Sequence, residues 1–164
     1  MIRDIIKFAK LKDDVIIPSK RDEDGAYDLY ANFDEEEIEI KPHETKMIST
    51  RIRTAFSEKY VMILKDRGSS GTIGMAQRCG VIDSSYRGEI FVPITNTTKI
   101  SIFITKKVSK TEKNVNCIKY PYSKAICQFL MVEVPKMEVV EVSNEELDAM
   151  TSMRGNGCLG SSGK

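Results

Sequence analysis

The sequence predicts an all-β domain, a jelly-roll-like barrel or sandwich with at most one short helix. Three observations carry this reading. Apolar and polar residues alternate with a period of two in one segment after another, as in Glu37-Ile38-Glu39-Ile40-Lys41. Turn-forming residues separate these segments at the spacing of an all-β sandwich or barrel, not of βαβ units. Ser143 followed by Glu146 is the only helix-start signature in the chain. At 164 residues the chain is long enough for one domain with a proper core.

The elements follow in order. Ile5-Ile6 and Val15-Ile16-Ile17 are short apolar patches, too brief for periodicity to decide whether they are strands. In GAYDLYA, residues 25–31, an extended chain puts Tyr27, Leu29 and Ala31 on one face and Asp28 on the other. The polar, acidic NFDEEE follows as a loop. Ile38 and Ile40 mark one strand, Pro42-His43-Glu44 a turn, and Ile48 with Ile52 the next strand. YVMILK, EIFVPITN and ISIFITKKV read as further strands, and KTEKNVN as an exposed polar segment. AICQFLMVEV is strongly apolar and reads as a central strand, with Gln128 its one buried amide. Pro135 interrupts it and MEVVEV resumes. The Ser143 capping box predicts one or two helical turns through Met150. The domain is expected to span residues 1–153, with 154–164 as a glycine-rich tail.

Composition bounds the function. Lys plus Arg is 25 and Asp plus Glu is 24, a balance that argues against a nucleic-acid polymer as partner. A small anion held by a few placed cations remains compatible with it. Cys79, Cys117, Cys127 and Cys158 form no CxxC pair, and with His43 as the single histidine a structural zinc site is not expected. The cysteines read as reduced, in a cytoplasmic compartment. Arg3, Asp4 and Lys7 leave no signal-peptide core, and no apolar run reaches membrane-spanning length.

Three stretches carry candidate chemistry. GVIDSSYRGE, residues 80–89, holds Asp83 and Tyr86 on or beside a turn at Ser84-Ser85, after a buried strand end at Val81-Ile82. Gly88 allows a close approach that a side chain would block. The alternative is a surface hairpin whose Asp caps a turn and whose Tyr packs on a neighbour. DRGSSGTIG carries Arg67 among glycines and serines, which suits either an anion cradle or an ordinary flexible loop. The terminal RGNGCLGSSGK can build no core. It is either a disordered tail or a loop that closes on phosphate.

The order of these pieces is more specific than any one of them. GAYDLYA, the Arg-Gly-Ser loop, GVIDSSYRGE, AICQ and RGNGCLGSSG together resemble the five ordered motifs of the homotrimeric deoxyuridine triphosphatase (dUTPase) family, from about Gly25 to the end. The resemblance implies a jelly-roll fold, a homotrimer with sites at subunit interfaces, and hydrolysis of dUTP to dUMP and pyrophosphate with Mg²⁺. It implies that Asp83 activates the water, an ionised carboxylate being able to orient it and take its proton. Tyr86 would lie under the deoxyribose and exclude a 2′-hydroxyl. The backbone around Gly80, Val81 and Ile82 would read the uracil edge, with Gln77 where many members have Asn. Arg67, Gly68 and Ser69 or Ser70 would hold phosphate oxygens, as would Gln128. Arg154 would neutralise phosphate from the tail, Leu159 would cover the base, and Gly160-Ser161-Ser162 would wrap the γ-phosphate. Asp28 would act near the metal through water, or organise an interface by hydrogen bonds. The phosphates and waters would themselves hold most of the Mg²⁺ shell.

The chain departs from the family pattern at several points. Gly68 separates Arg67 from the serines, Ala125 stands where a basic residue is usual, and Leu159 replaces a Phe. Leucine can cover a base but cannot stack as a ring does, which predicts a weaker lid. Extra residues at 106–120 suggest an added hairpin or loop, and a second reading makes this insert the contact surface of a regulator that binds a protein partner. A dCTP deaminase relative is a further alternative. It is disfavoured because Thr72 and Pro93 stand where that family carries an Arg and a catalytic Glu.

Overall fold

The computed structural model describes residues 4–78 and 80–157. In chain order its strands are β1 (Lys7–Lys10), β2 (Tyr27–Tyr30), β3 (Glu37–Ile40), β4 (Thr45–Ala55), β5 (Tyr60–Lys65), β6 (Met75–Gln77), β7 (Val81–Ile82), β8 (Glu89–Asn96), β9 (Ser101–Thr105), β10 (Glu112–Lys113), β11 (Cys117–Pro121) and β12 (Ala125–Glu133). Two short helices, α1 (Gly68–Gly71) and α2 (Asn144–Asp148), complete it. The strands form three four-stranded sheets with the orders β1-β4-β8-β6, β10-β11-β9-β3 and β2-β12-β5-β7. All pairings are antiparallel except β11 with β9. This is the mostly-β, jelly-roll-like architecture that the alternation predicts.

One core joins the three sheets. Ile48, Ile52, Ile90, Val92 and Ile94 come from the first sheet, Ile40, Ile102, Ile104 and Ile118 from the second, and Leu29, Met62, Leu64 and Phe129 from the third. The inward residues of each strand recur every second position because successive side chains alternate across a sheet. β12 is an interior strand, as its apolar sequence requires. The rings of Tyr27 and Phe129 stack at 5.0 Å across the β2–β12 pair. Burial pushes the thiol of Cys127, on this strand, well above the usual range.

Several local expectations are corrected. Of the N-terminal patches neither becomes a strand: β1 lies between them, and Val15 enters the core from an irregular segment. The acidic loop buries Asn32 and Phe33, the latter edge-on to Tyr122 at 4.9 Å. Glycine-rich 68–71 forms a helical turn, a second helix too short to leave a periodic signal. Val81 is 64% exposed, not buried, because β7 is a two-residue edge strand and Val81 faces outward from it. Residues 83–88 do not close a hairpin, since β7 pairs with β5 and β8 with β4 and β6. They join two sheets. MEVVEV forms no strand among the described residues, and a strand needs a partner edge for its backbone groups.

Two expectations hold in detail. Ser143 accepts from the Glu146 amide and Glu146 accepts from the Ser143 amide, so the capping box starts α2. The 106–120 segment contains a hairpin, β10–β11, with Glu112 opposite Lys119. The chain divides into two compact units, Met1–Val134 and Pro135–Lys164. The break falls at Pro135, upstream of the tail expected from residue 154.

Candidate functional site

Strand register assembles the first part of the site. Gln128 on β12 lies directly opposite Asp28 on β2 and Lys65 on β5. Directly opposed residues in neighbouring strands project to the same face, so the three form a row across the sheet. That face lines a cleft of about 870 Å³, whose wall also includes Lys20, Arg21 and Arg67. Gln128 is therefore half-buried at a cleft wall, not sealed in the core as its apolar neighbours suggest. Arg67 Nε and Nη2 contact the two carboxylate oxygens of Asp28 at 2.8 and 3.1 Å, a two-pronged pair that only a planar guanidinium makes. Arg67 Nη1 also donates to the Ala125 carbonyl at 3.4 Å, which accepts from the buried Tyr120 hydroxyl at 2.7 Å. Burial raises the Tyr120 hydroxyl pKa above its ordinary value.

The helical turn after Arg67 separates the two serines. Ser70 is fully buried and donates to the Arg67 carbonyl at 3.3 Å. Ser69 is exposed, and its hydroxyl accepts from Arg67 Nη1 at 3.2 Å. Ser69 is thus the serine available to a ligand. Gly68 has open space where a side chain would begin and no left-handed backbone, so nothing local demands a glycine there.

A second group forms elsewhere on the same unit. Asp83 is exposed at the start of a tight turn, closed by the Tyr86 amide donating to its carbonyl at 3.0 Å. The Tyr86 hydroxyl donates to the Glu89 carbonyl at 2.8 Å, and a Cβ on Gly88 would lie 2.4 Å from that hydroxyl oxygen. The ring rests on Gly88, so a bare backbone there sets its position. Asp83, Tyr86, Val81 and Ile82 line a separate apolar cleft of about 280 Å³ with Met47, Phe91 and Pro93. Behind Val81, the Gly80 carbonyl accepts from the Leu64 amide at 2.7 Å.

Gln77 ends β6. Its amide donates to Asp66 Oδ1 at 2.6 Å and its side chain to the Arg78 carbonyl. Gln128 Nε2 donates to the Asp66 carbonyl at 2.8 Å. Asp66 and Lys65 were not singled out by sequence reasoning. The period-two pattern of YVMILK, with Met62 and Leu64 inward, was the available signal for Lys65 facing the cleft. Arg154, in the second unit, donates to the Gly157 carbonyl at 3.0 Å. Leu159, Gly160, Ser161 and Ser162 lie outside the described residues.

The described residues contain no cluster of three or more His, Cys, Asp or Glu able to hold a metal by themselves. Asp28 already pairs with Arg67. This donor set fits an ion carried mainly by a ligand's phosphates and waters, with Asp28 reached through water. No helix is long and apolar enough to cross a membrane among the described residues. Cys117 and Cys127 are free thiols.

Comparison with known proteins gives a consistent picture. A family model described as dUTPase matches residues 13–163. A deoxyuridine 5′-triphosphate nucleotidohydrolase of Nautilia profundicola is 31% identical over 97% of this chain and 99% of its own length. A Pol polyprotein of caprine arthritis encephalitis virus is 34% identical over 54% of this chain, a match that covers only 8% of the polyprotein. Among solved structures, a Staphylococcus bacteriophage 80alpha dUTPase with dUPNHPP superposes with a TM-score of 0.75 at 22% identity, over 98% of this chain and 99% of that one. At that identity the likeness speaks for the fold.

Proposed function

The chain belongs to the dUTPase family, and on that footing we propose that it hydrolyses dUTP to dUMP and pyrophosphate with a water aimed by Asp83. The convergence of Asp28, Arg67 and Gln128, from three separate motifs, on one cleft is the observation that carries this reading. Such a cleft offers two guanidiniums, an amide and flanking lysines to a triphosphate. Asp83 takes the proton as the water attacks the α-phosphorus, and pyrophosphate leaves. Tyr86, fixed on Gly88, packs beneath the deoxyribose and leaves no room for a 2′-hydroxyl. The backbone of 80–82, with Gln77, reads the uracil edge. Arg67 and Ser69 hold phosphate oxygens with Gln128, and Arg154 adds a cation from the tail. The tail's Leu159 and Gly160-Ser161-Ser162 cover the base and the γ-phosphate. Bound Mg²⁺ would neutralise phosphate charge, with Asp28 as its water-mediated contact.

We propose a homotrimer, a reading that the placement of the two groups supports. Asp83 and Tyr86 line one cleft of the chain while Asp28, Arg67 and Gln128 line another. A complete site then draws the two groups from different subunits. The apolar wall around Met47, Val81 and Phe91 supports association. The free thiols suit a cytoplasmic location.

Pyrophosphate release from dUTP, with dTTP, dCTP and UTP alongside, tests the assignment. Release from dUTP alone, lost in Asp83→Asn, is expected. Ammonia from dCTP would replace the reading with deamination, and no release from any of the four would move a regulatory role to first place. That role has its own structural candidate in the exposed strand β10 and the residues before it, with Lys110 and Lys113. A pull-down with no partner alongside full activity would dispose of it.

A further inference from the structure

We propose that Asp66 is a positioning residue of the dUTP site, holding Gln77 and the base-reading backbone beyond it in register with Gln128. The proposal rests on the dUTP reading above. Asp66 sits between Lys65, the last residue of β5, and Arg67. It bonds in two directions. Its main-chain carbonyl accepts from Gln128 Nε2 at 2.8 Å, and its carboxylate Oδ1 accepts from the Gln77 amide at 2.6 Å. Gln128 belongs to the β2-β12-β5-β7 sheet and Gln77 to the β1-β4-β8-β6 sheet. Asp66 therefore ties the phosphate side of the site to the strand end that leads to Gly80 and Val81.

Gln77 and Gly80 supply two points of attachment to the β5 region. One is the Gly80 carbonyl on the Leu64 amide at 2.7 Å. The other is the Gln77 amide on the Asp66 carboxylate. β8 also holds the Gln77 end, through the Gln77–Ile94 pairing and the Arg78 amide on the Pro93 carbonyl at 2.8 Å, so removing the carboxylate loosens only its attachment to the β5 side and lets the backbone shift slightly where uracil would be read. The Gln128 contact survives, because it uses the main-chain carbonyl. The charge itself has no favourable use here. A carboxylate on the wall of a cleft that receives a triphosphate repels it, so the group's value lies in the acceptor it offers. A neutral Asn offers the same acceptor.

The experiment compares wild type, Asp66→Ala and Asp66→Asn in KM, kcat and the kcat/KM ratios of dUTP over dTTP and dCTP, with Mg²⁺. Asp66→Ala is expected to raise KM for dUTP about tenfold and to narrow the ratios by a similar factor, with kcat changing less. Asp66→Asn is expected to keep the ratios, with KM equal to or below wild type. Unchanged ratios in a folded Asp66→Ala, or an Asn variant as impaired as Ala, would overturn the proposal. Should Asp66→Ala not fold, Asp66→Glu, which moves the acceptor by one methylene, is read the same way. Amide hydrogen exchange at Gln77 without nucleotide separates the two levels. Faster exchange in the Ala variant than in wild type or Asn supports the positioning role, and equal exchange in all three sinks it. A wild type inactive on dUTP would count against the function and not against this link.

Discussion

At the scale of single residues, the fork between Arg67 and Asp28 concentrates the chemistry. Lysine offers one point charge where arginine offers two aligned donors. Arg67→Lys is therefore expected to lower kcat/KM for dUTP by about tenfold to a hundredfold, which steady-state kinetics would show. Equal activity would mean that charge alone suffices. Asp34 illustrates a purely structural pair. Hydrogen bonds from Arg51 and Lys12 hold its carboxyl well below the usual carboxylate range. Arg51 also takes a left-handed backbone, φ 52°, at the bulge in β4, where Glu89 accepts from its amide. A depressed pKa stabilises the fold above the unfolded carboxyl's value, about 4, and that contribution is lost as pH falls toward the folded value. The Tm of Asp34→Asn should lie slightly below wild type at pH 7, the gap closing only below about pH 4. The pair is exposed, so salt should shrink the gap as well. A gap constant from pH 7 to 3 would contradict this.

At the scale of elements, two glycines around β7 should respond in opposite ways to alanine. At Gly80 a Cβ would lie 2.9 Å from the Leu64 carbonyl oxygen, a backbone atom near the C-terminal end of β5. The strand itself must shift, so Gly80→Ala should cost about 1–3 kcal/mol, read as a lower Tm. At Gly88 the obstacle is the Tyr86 ring, which can swing away. Gly88→Ala should leave Tm nearly unchanged while weakening the preference for dUTP over UTP, if the ring excludes a 2′-hydroxyl as proposed. The reverse pattern would refute this division of roles. Ser143→Ala should destabilise α2 by about 1 kcal/mol and speed amide exchange at Glu146, with little effect on the barrel.

At the scale of the whole molecule, the two clefts of a single chain are its most consequential feature. Met47 and Phe91 are 59% and 39% exposed beside the Asp83 turn. A charge placed there should oppose association without disturbing the core, which Phe91 does not enter. Phe91→Glu is expected to shift the proposed trimer to monomer in light scattering, and to lose dUTP hydrolysis while keeping its far-UV circular dichroism. A monomeric, fully active variant would mean that one chain completes the site alone.

Local pattern in the sequence was enough for the longer strands, many of the inward-facing residues and the α2 cap. Each of these rests on neighbours a few positions apart. The bounds of EIFVPITN and YVMILK are the bounds of β8 and β5. Tertiary pairing is what brings Asp28, Gln128 and Lys65 into one row, leaves Ser69 and not Ser70 in reach of solvent, and makes the Asp83 turn a link between two sheets. The same pairing turns Val81 outward, buries Phe33 and lets Asp66 link Gln77 to Gln128. These depend on which strand lies beside which. Pairing partners such as Asp28 and Gln128 stand far apart in the chain, and no local period records the register that brings them together.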